Sequence, residues 1–155
     1  MRVQGDSGLG ADNNTEFCFP SKYSGFDAAV PTADHLEPQL IIAENELQTA
    51  AFAARTQRLN DLRAPVGLDP LPVPASATEA TDLLFRERAF WLFVTGYCLS
   101  DLRRLVRQYG RPVNSAFPNG TYFKEDLRYG NAGSLPIPRR ETNNPNSAGC
   151  VENNP

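Results

Sequence analysis

Apolar residues recur at helical spacing through the middle of this chain and lose that rhythm towards both ends. Leu36, Leu40, Ala43, Leu47, Ala50, Ala51 and Ala54 follow steps of three and four, the spacing that lines up one face of an α-helix. Phe52, Leu59 and Leu62 form a second series. A turn near 49–53 would divide the two into antiparallel helices. No Gly or Pro marks that turn, so one long helix is the alternative. Asp34 is placed to cap the start, and Pro38 fits only a first turn.

A third series follows the proline-rich stretch PVGLDPLPVPAS at 65–76. Ser76 and Glu79 have the spacing of a capping box, in which the serine oxygen takes the glutamate amide and the glutamate side chain reaches back. Leu83, Leu84, Phe90, Trp91 and Val94 continue as a helical face, and Gly96 weakens it. The face resumes at Leu99, Leu102, Leu105, Val106 and Tyr109, until Gly110 and Pro112 stop it. The predicted helices are therefore 36–49, 52–63, 78–95 and 97–109.

Outside this middle region the pattern fails. Residues 1–34 read as irregular; Glu16–Phe26 could include a short strand, although its alternation is poor. Beyond Arg111 the chain reads as turns and short extended pieces, with Asn119-Gly120 a candidate tight turn. The prediction is a mainly α chain of helical hairpins, a single domain over 1–155. Its parts are an irregular segment 1–34, a helical core 36–110 and a loop-rich tail 111–155.

Charge changes this picture locally. Residues 1–80 carry eleven acids and five bases, whereas 86–111 carry six arginines against Glu87 and Asp101. The second block keeps a phosphate-binding reading open. Arg103, Arg104, Arg107 and Arg111 equally suit a helix C-terminus, where cations complement the dipole. The overall net charge of −3 argues against a general nucleic-acid binder. No stretch approaches the roughly 18 apolar residues of a membrane span. The first residues lack the apolar core of an export signal.

Candidate chemistry is sparse. Glu87 and Asp101 could be imagined as the acid pair of a glycosidase. Arg86 and Arg88 flank Glu87, however, and Arg104 lies three residues from Asp101, so helix-orienting ion pairs are the better reading. His35 is the single histidine; it sits near a helix start and has no assigned role. No metal-ligand spacing, phosphate loop or nucleophile–base pair appears, so no catalytic, cofactor or metal residue is expected. Trp91 reads as core, packed by Phe90, Leu102, Val106 and the first helix pair. Phe85 and Phe93 are likewise placed where helices pack. Cys98 lies in an apolar series and reads as a buried small side chain. Cys18 and Cys150 flank the helical region, and in an oxidising compartment they are candidates for a disulfide.

Three segments resemble the C-terminal part of the RagB/SusD family of outer-membrane nutrient-binding lipoproteins. EPQLIIAENELQ resembles its acidic "LIxAEaxL" helix, RERAFWLFVTGYCLSDLRRL its "ER…L…G…DLRR" helix pair, and LPIPRRETNNPN its closing "hPIPxxExxxNP" segment. They occur in the family's order. Where the family often has His-Arg after the glycine, this chain has Tyr97-Cys98. The resemblance implies a tetratricopeptide-like helical scaffold without catalysis or cofactor. Glu87, Arg88, Trp91, Gly96, Asp101, Arg103 and Arg104 would serve structure. It also implies capture of an oligosaccharide or peptide at the cell surface, and hand-over to a SusC-like TonB-dependent transporter. Family members are several times longer, so the chain corresponds to a C-terminal fragment, and the lipid anchor would lie outside it. The loop aromatics Tyr122, Phe123 and Tyr129 are the ligand-binding candidates within the chain. Most of the site is expected outside it, with weak or no glycan binding by the chain alone. A helical scaffold that binds only a protein partner is the alternative.

Overall fold

A computed structural model describes residues 5–20, 22–23, 25, 27–31, 34–122, 127–129 and 143–146. The chain is mainly α and divides into two compact units, residues 1–96 and 97–155. The closing segment that resembles "hPIPxxExxxNP" lies outside the described residues except for 143–146, and Phe123 and Cys150 lie outside them too. The side chain of Cys18 is also outside them, so the Cys18–Cys150 pairing is too. No helix among the described residues is long and apolar enough to cross a membrane.

The first unit begins with a hairpin of which the sequence pattern offered only the second strand. Gly5–Leu9 (β1) and Glu16–Pro20 (β2) pair antiparallel, from Gly5 opposite Pro20 to Leu9 opposite Glu16. Alternation is no guide because β1 is mostly glycine, serine and aspartate; the turn supplies the order instead. The Asp12 carboxylate accepts from the Asn14 amide at 3.1 Å, the Thr15 amide at 2.9 Å and the Thr15 hydroxyl. Asn13 takes a positive φ of 53°, which Asn tolerates better than most residues. These donors, the Thr15 side chain first, lower the Asp12 pKa from 3.8 to about 2. A depressed carboxylate stabilises the folded turn above its unfolded pKa, and that stability is lost as the folded pKa is approached from above. The amide shifts of Asn14 and Thr15 should therefore stay native through pH 4 and titrate near pH 2. A midpoint at the ordinary aspartate value would contradict the carboxylate-centred turn.

Helix α1, Leu36–Gln48, starts where Asp34 accepts from the amides of Leu36 and Glu37 at 2.9 and 3.4 Å. Pro38 falls in its first turn, as its missing N–H requires. The helix stops at Thr49 and Ala50, with Ala50 at φ 57° and its amide bonded to the Leu47 carbonyl at 3.1 Å. Alanine here occupies a left-handed position that glycine usually fills. This is why no glycine signalled the turn, and why two helices form rather than one. Helix α2, Phe52–Arg63, returns against α1. A 3₁₀ turn at Ala64–Val66 ends on Gly67 at φ 70°.

The proline-rich loop is fastened to α2 by side chains. Asn60 donates to the Leu71 carbonyl at 3.2 Å and accepts from its amide at 2.7 Å. The Arg63 Nε donates to the Asp69 carbonyl at 2.8 Å. Helix α3, Ala77–Trp91, then opens on the predicted cap: Ser76 Oγ accepts from the Glu79 amide at 3.2 Å. The Glu79 carboxylate reaches one residue further back than a standard box, to the Ala75 amide at 2.9 Å.

Leu40, Ala43 and Leu47 from α1 form the core with Leu59 and Leu62 from α2 and Ala80, Leu84, Phe85 and Trp91 from α3. Each fully buried leucine contributes roughly 1.5–3 kcal/mol. Arg55 shares this core at 0 % exposure. Its Nη1 donates to the Ala80 carbonyl, and its guanidinium lies 5.8 Å from the Phe52 ring centroid. Burial lowers its pKa, partly opposed by the charge of Glu46.

The aromatic series of α3 is only half a core face. Phe90 is 59 % exposed, and Phe93 and Val94 also face solvent, which corrects the expectation that Phe90 and Phe93 pack inward. Helical rotation explains Phe90: it follows Ala89 and precedes Trp91, and only Trp91 turns to the α1–α2 side. Phe93 and Val94 lie beyond the helix, which ends at Trp91 rather than continuing to 95. Val94 takes φ 59° and Gly96 φ 87°. The Thr95 hydroxyl holds the Leu92 carbonyl, and Lys22 Nζ donates to that of Phe93 at 2.8 Å.

In the second unit, α4 spans Cys98–Arg107 and ends through the predicted Gly110, at φ 64°. Cys98 opens this helix and is exposed with a free thiol, which overturns its assignment as a buried small side chain. A single-turn α5, Val113–Ala116, follows. Gly120 adopts φ 83° as its turn assignment requires. The pairing it introduces lies downstream of the expected place, between Thr121 and Arg128, with Tyr122 N–H to the Leu127 carbonyl at 2.6 Å.

Candidate functional site

The first unit contains a half-open cleft of about 550 Å³, within the size range of small-ligand sites. It draws on every helix of that unit. The first turn of α1 supplies Leu36 and Gln39, with His35 just before it. Arg58, Asp61 and Leu62 come from α2 at helical spacing. Pro65 and Val66 come from the 3₁₀ turn, and Trp91 from the last residue of α3.

Each polar wall residue is placed by a specific contact. Arg58 grips Glu46 with two nitrogens, Nε at 3.1 Å and Nη2 at 2.6 Å, while Nη1 donates to Gln39 Oε1 at 2.7 Å. This fork holds α2 against α1, and the Glu46 hydrogen bonds raise the Arg58 pKa. Asp61 accepts from Gln57 Nε2 at 2.8 Å and stays exposed. His35 is exposed at the cleft edge. The main-chain amides beside it are capped by Asp34, leaving the imidazole outside the capping interaction.

Trp91 is held at 7 % exposure. Its Nε1 donates to Glu87 Oε2 at 3.3 Å, and Glu87 Oε1 pairs with Arg63 Nη1 at 2.8 Å. Glu87 is 1 % exposed. Its near partner is Arg63, one helix away, and the flanking Arg86 also pairs with it at 4.0 Å. Arg88 is buried on the same helix. The Glu87 carboxylate is committed on both oxygens to holding α2, α3 and the indole in register.

The remaining candidates lie in the second unit. Asp101 pairs with Arg104 at 3.0 Å, as its spacing predicts, and is buried. Arg103 is half-buried. The Tyr122 and Tyr129 rings meet edge to face with centroids 5.3 Å apart. Tyr122 is half-buried and Tyr129 exposed. Two of the three predicted loop aromatics are thus brought together, with one ring edge spent on the other ring; the third, Phe123, lies outside the described residues.

His35, Gln39, Arg58 and Asp61 were not recognised from the sequence as one group. Their convergence depends on the α1–α2 turn and the 3₁₀ turn, which no motif marks. The available signal was the Arg58–Asp61–Leu62 spacing on α2. Among the described residues no group of His, Cys, Asp and Glu is arranged to hold a metal ion. No protein-family model, curated protein or solved structure matches the chain.

Proposed function

We propose that this chain is a non-catalytic binding module, the C-terminal part of a SusD-like nutrient-binding protein. In this reading it helps capture an oligosaccharide or peptide at the outer membrane and pass it to a TonB-dependent transporter. The observation that carries a binding role is the Trp91 cleft. It combines an apolar floor with an amide, a guanidinium, a carboxylate and an imidazole on its walls, a mixture suited to a ligand with both apolar faces and hydrogen-bonding groups. The three ordered sequence resemblances supply the SusD-like part of the reading. Binding without turnover is supported by the two candidate acids, because Glu87 is engaged by Arg63 and Asp101 by Arg104.

A scaffold for a protein partner is the second reading, favoured by the exposed Phe90, Phe93 and Val94 at the end of α3. Calorimetry of the chain against a panel of oligosaccharides and short peptides separates the two. The cleft reading expects weak binding, with Kd on the order of 1 mM, lost in Asp61→Ala and His35→Ala while circular dichroism is unchanged. Binding of nothing in the panel favours the scaffold. Hydrolysis of any glycan overturns the non-catalytic assignment.

A further inference from the structure

Asn119-Gly120 is the only Asn-Gly pair in the chain. We propose that Asn119 is a site of spontaneous deamidation, and that its conversion releases the loop carrying Tyr122 and Tyr129. Asn119 and Gly120 are both exposed. Glycine at 120 has no Cβ to crowd the attack, and a Cβ built there would meet nothing within 4 Å, so the space beside it is open. In the reaction the Gly120 nitrogen loses its proton to solvent base and attacks Asn119 Cγ. A C–N bond forms, the Cγ–Nδ2 bond breaks, and the side-chain nitrogen takes a proton back from solvent and leaves as ammonia. The five-membered succinimide then takes up one water and opens to isoaspartate or aspartate. Water is the only co-reactant.

The consequence follows from what the Asn119 amide holds. Its Nδ2 donates to the Asn114 carbonyl and, at 3.4 Å, to that of Phe117. It thereby fastens the turn after α5 to the segment that follows. From that turn the Gly120 carbonyl accepts the Tyr129 amide at 3.1 Å, and Thr121 pairs with Arg128. A carboxylate in place of the amide has no donor for those carbonyls and is repelled by them. Isoaspartate also inserts a methylene into the main chain, which shifts the downstream pairing.

The test begins with the full chain held in mildly alkaline buffer, followed by peptide mapping. Conversion should concentrate at Asn119, with isoaspartate among the products, and be absent at that position in Asn119→Gln. In a second arm, Asn119→Asp should speed amide hydrogen exchange at Tyr122 and Tyr129 about tenfold, the loss of roughly one hydrogen bond's worth of protection. An intact Asn119 while Asn114 or Asn146 converts would overturn the site. Unchanged exchange at both tyrosines in Asn119→Asp would overturn its effect on the loop.

Discussion

Glu87→Ala should lower the stability of the helical unit by about 3–5 kcal/mol, the cost of breaking a buried ion pair by removing one partner. Both Glu87 oxygens are in use, one by Arg63 at 2.8 Å and one by the Trp91 indole at 3.3 Å. Removal strands a mostly buried guanidinium and an indole N–H together. Among the described residues Arg63 then keeps its Nε bond to the Asp69 carbonyl. Glu87→Gln retains the volume and an acceptor, so it should cost less, about 1–3 kcal/mol. Urea unfolding followed by the emission of the single tryptophan measures both. The pair itself need not be stabilising, because two buried charges lose their hydration when the unit folds. A Glu87→Leu, Arg63→Met double variant should therefore recover most of the loss. A single variant costing under about 1 kcal/mol would show that the pair is solvated rather than buried.

Trp91→Ala should cost a similar 3–5 kcal/mol, through the cavity it leaves in the core. The indole closes one end of the α1–α2 face and forms part of the cleft wall. Trp91→Phe keeps most of the apolar contact but leaves Glu87 Oε2 without its donor, at about 1–3 kcal/mol. Because Glu87 and Trp91 touch, their losses should not add. A double-mutant cycle should return an interaction of at least about 0.5 kcal/mol. Native emission should be blue-shifted and poorly quenched by acrylamide. Red-shifted, fully quenchable emission would mean that Trp91 is a surface platform.

The helices were legible because their apolar steps report burial directly. Leu40, Ala43 and Leu47, then Leu59 and Leu62, then Leu84 and Trp91 all fall in the core. The same pattern overreached at Phe90 and Phe93, since an apolar residue at helical spacing need not face the neighbour that exists. The β1–β2 hairpin was hidden because a side-chain turn at Asp12 orders it rather than alternation. The Arg63–Glu87 pair joins residues 24 apart in sequence, and only the α2–loop–α3 path brings them together. The cleft was illegible for that reason too: its walls come from four separate segments, each ordinary alone.

The end of α3 shows what the surrounding fold imposes on a short segment. A β-branched residue at a left-handed φ, as at Val94, is disfavoured by roughly 1–2 kcal/mol relative to continuing the helix. Within FWLFVT the Thr95 hydroxyl and amide bond the Leu92 carbonyl. From outside, Lys22 bonds the Phe93 carbonyl, and the packing turns the indole inward. Cut free as a peptide, residues 77–96 would lose that constraint, and the helical register would run on through Phe93 and Val94.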